Sequence, residues 1–153
     1  MAFSGFVLPS SGELYTQEVS WFNFESTIAS IRQFLKDRPL DPGDKYYLVM
    51  DNAPWHKKAK RLIKEDSDGL YSDIKSKVMF VYLPPYSPDL NPIEQVWRKA
   101  RREVTHNRFF PSIGELKQKL VPYFEHFINQ NNTLRQLCSF KCFEALFLLP
   151  YQH

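Results

Sequence analysis

Residues 46–56 read YYLVMDNAPWH, and residues 78–101 read VMFVYLPPYSPDLNPIEQVWRKAR. Each begins with an apolar run of strand length, Tyr46–Met50 and Val78–Leu83, too short for an independent helix. Continuous apolar runs of this kind belong to strands covered on both faces by helices. The first run ends at Asp51, and the second is closed by the rigid PPYSPDLNP. Between them Pro54 to about Lys64 predicts a basic helix, followed by the polar stretch EDSDGLYSDIKSK. A further helix is expected over 92–105, with Pro92 at its first position, where the missing N–H costs nothing.

Outward from this centre, residues 3–8 and LYTQEVSWF (14–22) predict two strands of a hairpin around the turn PSSGE. Residues 26–37 predict a helix with Ser26 as N-cap and Ile28, Ile31, Phe34 and Leu35 on its apolar face. RPLDPGDK is a break. A last helix is expected over 112–129, with Ile113, Leu116, Leu120, Val121, Phe124, Phe127 and Ile128 in one stripe. Hairpin strands followed by alternating strands and helices predict an α/β domain with a mixed sheet, and ligand sites in such sheets form at the carboxyl ends of strands. Asp51 stands at one such end, and the loop to Glu94 leaves the other.

The chain has 153 residues, 43% hydrophobic, 24% charged and 16% aromatic, which suits one domain, 1–153, with a core. No apolar run approaches the about 18 residues of a membrane-spanning helix, and no signal-peptide pattern opens the sequence, so a cytoplasmic protein is expected. Cys138 and Cys142 form neither a disulfide framework nor, with His126 and His153, a recognised zinc pattern. The apolar tail CFEALFLLPY is expected to pack on the domain or on a second subunit.

The net charge of +3 is unremarkable, but its distribution is not. KKAKRLIK (57–64) and RKARREVTHNR (98–108) together hold half of the 20 basic residues against one acid, Glu103. Lys57, Lys58, Lys60, Arg61, Arg98, Lys99, Arg101 and Arg102 are candidate contacts to a polyanion, and a solvated helix face is the alternative. Asp51 and Glu94 could converge on one rim and hold Mg²⁺ or Mn²⁺, hard ions that take oxygen ligands. Two such ions roughly 4 Å apart serve phosphoryl transfer. Alternatively, Asp51 opens an Asx-turn, and Asn91 with Glu94 forms a capping box. A two-carboxylate glycosidase is a third possibility that the basic helices disfavour.

LVMDNAPWH followed by VYLPPYSPDLNPIEQVWRKAR closely resembles the second and third acidic motifs of DDE transposases, in the mariner-like branch that includes bacterial insertion-sequence transposases. The elements from about residue 3 to 130 follow that family's order. The resemblance implies a ribonuclease-H-like fold and metal-dependent cleavage and strand transfer of transposon DNA, in the bacterial cytosol or nucleoid. Asp51 would be the second acidic ligand and Glu94 the third, for two Mg²⁺ or Mn²⁺ ions; Asn52 and His56 match motif positions beside them.

In this family the first catalytic Asp lies on a strand upstream of the hairpin, and an N-terminal DNA-binding region precedes that strand. Both are expected to be missing from these 153 residues, since Glu13 and Glu18, the acids before residue 25, lack the setting of that ligand. The sheet is expected to lack its first, central strand, and the chain to be inactive alone. The partners expected are DNA, as transposon ends and target, together with another copy of the chain or a complementary N-terminal transposase polypeptide. A non-catalytic DNA-binding or self-associating remnant of a transposase is the rival reading.

Overall fold

The computed structural model describes residues 1–139; Cys142, His153 and the apolar tail lie outside the described residues. Strands β1 (Ala2–Leu8) and β2 (Glu13–Val19) form a two-stranded hairpin. Helix α1 (Phe24–Asp37) follows, then β3 (Tyr46–Met50), α2 (Pro54–Lys64), the single turn α3 (Ser72–Lys75) and β4 (Val78–Tyr82). After a 3₁₀ turn at Pro88–Leu90 come α4 (Pro92–Ala100), a π-helical continuation (Arg101–Thr105), α5 (Ile113–Glu125) and α6 (Asn132–Cys138). The chain divides into two compact units, Met1–Phe6 with Thr16–Asn91, and Val7–Tyr15 with the chain from Pro92 onward.

In the first unit β3 and β4 pair in parallel, Tyr46 opposite Val78 through Met50 opposite Tyr82. Parallel neighbours need a crossover, and α2 and α3 supply it. Ile28, Ile31 and Leu35 of α1, Ala59 and Ile63 of α2, Ile74 of α3 and Val78 of β4 make one core cluster, with Tyr46, Leu48 and Phe80 packed against it. Burying each such isoleucine is worth about 1.5–3 kcal/mol. The opposite face of the pair carries Tyr47, Met79 and Val81, which are 70%, 47% and 43% exposed. The apolar runs predicted helices on both faces; a run without alternation shows that neither face is polar, not that both are covered.

The strands make two two-stranded sheets, β1–β2 and β3–β4, and among the described residues no strand pairs with the second edge of β3. Tyr46 donates to Lys77 and Leu83 to Met50, so the alternating backbone groups of Tyr47 and Val49 face that open edge. Phe34 of α1 touches both sheets, stacking on Phe6 at 4.5 Å and meeting Tyr46 at 5.0 Å. The N-cap of α1 is Asn23 rather than the expected Ser26. Asn23 accepts from Ser26 N at 2.7 Å, and the Ser26 hydroxyl takes the Asn23 amide in return, a reciprocal box that starts the helix two residues early.

In the second unit Leu120, Phe124, Phe127, Val96, Ala100, Val104, Leu134 and Cys138 are buried. Trp97 meets Phe124 edge to face at 5.5 Å. The hairpin turn docks on the start of α6, where Asn131 N donates to Ser11 O and Leu14 N to Phe127 O. Gly12 has a φ of +75°, and a Cβ there would fall 2.0 Å from the Asn131 carbonyl, so no other residue fits. Burial raises the Cys138 thiol to about 11, with the sulfur 3.8 Å from the Pro92 carbonyl, the setting of a packed residue rather than a metal ligand.

Candidate active site

The corner after β3 is assembled from the motif residues themselves. Asp51 Oδ1 accepts from Ala53 N at 3.0 Å, the Asx-turn that the sequence allowed, and turns the chain into α2. The same oxygen lies 2.6 Å from His56 Nδ1 in the first turn of that helix. A carboxylate can only accept, so Nδ1 carries the proton, and a neutral ring keeps a lone pair on Nε2. Oδ2 of Asp51 makes no hydrogen bond among the described residues, and the side chain is 49% exposed. The turn therefore occupies one oxygen and leaves the other open, so the structural and the ligand readings of Asp51 are compatible.

Asn52 has a separate role. Its Nδ2 donates to the Leu83 carbonyl at 2.8 Å, fastening the exit of β3 to the exit of β4. Tyr82, the last residue of β4, donates its hydroxyl to the His56 carbonyl at 3.2 Å and so pins the first turn of α2. Its phenol is raised by burial first and by the negative charge of Asp51 second. Sequence alone does not single out Tyr82; the only signal is an aromatic closing an apolar run. Trp55 stacks on Phe22 and sets its edge against the His56 ring.

Glu94 lies in the first turn of α4, in the second unit, half-buried. Its carboxylate makes no hydrogen bond within the described part of the second unit, and Asn91 N donates to the Pro88 carbonyl. An acid in a first turn is favoured by the helix dipole but needs no partner there.

The basic candidates differ in their surroundings. On α2, Lys57, Lys58 and Arg61 are exposed, Lys58 Nζ sits 3.7 Å above the Phe24 ring, and Lys60 Nζ sits 4.4 Å above Tyr82. These rings hold the ammonium groups without neutralising them. In the second unit Arg98, Arg101 and Arg102 are exposed, and both Lys99 and Arg102 pair with Glu103. Glu103 also accepts from Tyr123 at 2.8 Å and lies 4.0 Å from Arg102, and the Lys99 contact above all holds its carboxyl below the usual range.

The donor chemistry of Asp51 and Glu94, open carboxylate oxygens, fits a hard divalent ion, but among the described residues no three His, Cys, Asp or Glu side chains gather as a metal-holding group. Two carboxylates are a partial set for an ion that gives up its waters reluctantly. Among the described residues no helix is long and apolar enough to cross a membrane.

Over 79 residues the chain is 30% identical to an uncharacterized protein, y4pE/y4sA, of Sinorhizobium fredii, a stretch that covers 52% of this chain and 50% of the relative. The chain thus spans about half the length of the curated relative it matches. No solved structure matches it. Residues 4–117 match the family model described as DDE superfamily endonuclease, a span that holds most of the hairpin, the β3–α2–α3–β4 unit, Asp51 and Glu94. With an α/β architecture consistent with a ribonuclease-H-like domain, the chain belongs to the DDE superfamily of endonucleases.

Proposed function

We propose that the chain is a transposase catalytic-domain portion, residues 3–130 with a C-terminal tail, acting on the ends of a mobile DNA element and on target DNA. Asp51 and Glu94 are two of its metal-binding carboxylates, and the third comes from a segment outside these 153 residues, on the same polypeptide or another. The observation that carries this reading is the Asp51 corner, in which one oxygen is fixed by Ala53 N and His56 while the other is left open. Asp51 and Glu94 would hold Mg²⁺ or Mn²⁺, which when bound supply activation of the attacking oxygen and neutralise charge on the phosphodiester. His56 and Ala53 N orient Asp51. Lys57, Lys58, Lys60 and Arg61, with Arg98, Lys99, Arg101 and Arg102, hold the phosphate backbone, giving affinity rather than sequence readout.

The open edge of β3 supports a partner segment, another copy or the complementary polypeptide, that pairs with the Tyr47 and Val49 backbone. Unpaired strand edges are sites for strand addition.

The test is Mn²⁺-dependent nicking of supercoiled plasmid by the chain alone and with a supplied N-terminal segment, using Glu94→Gln as control. Cleavage that appears only with the segment and disappears in Glu94→Gln supports the reading. Salt-dependent DNA binding without cleavage in either condition favours a non-catalytic remnant, consistent with the incomplete ligand group. Reversing charge at Lys57, Lys58, Arg101 and Arg102 should weaken DNA binding and flatten its salt dependence, by about 0.9 in log–log slope for each phosphate no longer neutralised. An unchanged slope would remove these segments from the DNA face.

A further inference from the structure

Among the described residues with positive φ, Gly12, Gly43, Gly69 and Asn107 are of types that accept the left-handed region. Tyr86, with φ of 59°, is not. It stands in PPYSP, with Pro84 and Pro85 before it and Pro88 two residues on, so the loop is stiff. Its ring is 102% exposed and stacks on no other described ring, whereas Phe6, Phe22, Phe34, Trp55 and Trp97 all have aromatic partners. A strained backbone that holds a bulky apolar ring fully in water gains nothing for the fold, and such outliers point to a function that needs the side chain there.

The place of this ring in the chain identifies its occupant. Three residues earlier, Leu83 is tied to the end of β3 and to the turn after it: its N–H donates to the Met50 carbonyl and its carbonyl accepts from the Asn52 side-chain amide. The loop carrying Tyr86 thus starts from the strand exit bonded to the Asp51 corner. The same unit presents the exposed cations Lys57 and Arg61, which favour a polyanion over an apolar protein surface. An exposed ring on a loop that leaves the Asp51 corner, in a unit that also presents cations, suits an unpaired base, since every base has a π-face and its phosphate takes the charge.

We propose that Tyr86 is a stacking platform for an unpaired nucleobase of the DNA bound at the Asp51 corner, so that the chain prefers frayed or single-stranded ends to closed duplex. This rests on the DNA reading above and adds to it a preference that phosphate contacts alone do not give.

The experiment compares binding of the chain to a blunt hairpin duplex and to the same duplex with a short single-stranded overhang. Wild-type chain should favour the overhang; Tyr86→Ala should lose about 5-fold or more of overhang affinity with duplex affinity within about 2-fold, and Tyr86→Phe should bind like wild type. Tyr86→Asn should melt higher than wild type, because Asn accepts the left-handed region, yet lose the overhang preference. Equal binding of both DNAs by wild type and Tyr86→Ala overturns the proposal. So does a Tyr86→Ala chain that loses self-association while keeping the overhang preference, which would assign the ring to a protein contact. If wild type binds duplex in a manner abolished by Lys57→Glu with Arg61→Glu, while Tyr86→Ala changes nothing, the platform alone falls; if wild type binds neither DNA, the DNA reading falls with it.

Discussion

Asp51 and Glu94 have the same chemistry and are held in opposite ways. Asp51 stands at a strand exit and has one oxygen committed to Ala53 N and His56. Glu94 stands in the first turn of α4 and commits neither oxygen among the described residues. A carboxylate fixed by the fold is oriented before any ion arrives; one that is free must be ordered by what it binds, and loses side-chain entropy then. Asp51 thus has a structural role beside the metal-binding role proposed for it, whereas Glu94 has no structural role to mask the one proposed for it.

The largest expected effect follows from His56. Removing its ring should weaken Mn²⁺ binding about 10- to 100-fold, the usual cost of losing a group that orients a ligand. Isothermal titration of the chain, with the N-terminal segment proposed above supplied, measures it. His56→Gln retains a donor and should recover part of the affinity; a merely structural His56 would instead lower melting temperature without changing the metal titration of the folded protein. No substitution beside Glu94 should act in this way, since nothing fastens it.

Stability separates the two acids next. Asp51→Ala leaves the Ala53 N–H and the His56 Nδ1 proton without their acceptor and should cost about 1–2 kcal/mol. Glu94→Ala should stay within about 0.5 kcal/mol. Urea unfolding at neutral pH checks both. A Glu94→Ala loss as large as that of Asp51→Ala would show that Glu94 has a partner in the fold and would end the contrast.

Much of this is legible in the amino-acid sequence alone. β3, β4 and the helices after them announce themselves by apolar runs and by prolines at helix starts, Asp51 by where its run ends and Glu94 by its place just inside the helix that Pro92 opens. The role of His56 is not legible, because its contact with Asp51 crosses a strand–helix junction five residues long and follows no helical or strand period. Single-turn α3 and seven-residue α6 are too short to show periodicity, and Asn131, which opens a glycosylation pattern in the sequence, is the N-cap of α6, accepting from Leu134 N at 3.1 Å. Ser26 suggests a cap because serine is the commoner signal; its partner Asn23 holds the position, in a box whose roles the usual Ser-x-x-Glu order does not display. Nothing in a continuous apolar run could show that Tyr47, Met79 and Val81 are left exposed.

The smallest expected effect concerns the acid sensitivity of the two units. In the first, Arg32 holds Asp73 with two parallel bonds of 2.8 and 3.1 Å, and this contact foremost keeps the Asp73 carboxyl below its ordinary value. A carboxyl lowered in the folded state stabilises above its unfolded pKa, about 3.9, and that contribution fades as pH falls through the folded value, Arg32 staying charged throughout. Both side chains are well exposed, 40% and 49%, so solvent screening keeps the contribution under about 1 kcal/mol. Asp73→Asn should therefore melt slightly lower than wild type at neutral pH and converge with it below about pH 4, with the gap narrowed by high salt. In the second unit Glu103 is lowered by Lys99, a long flexible partner, rather than by a planar fork, and Glu103→Gln should give a weaker version of the same convergence. A gap for Asp73→Asn that persists undiminished in acid would mean that the contact acts through packing, through Arg32 donating to Leu70 O and lying 5.6 Å above Tyr71, and not through charge.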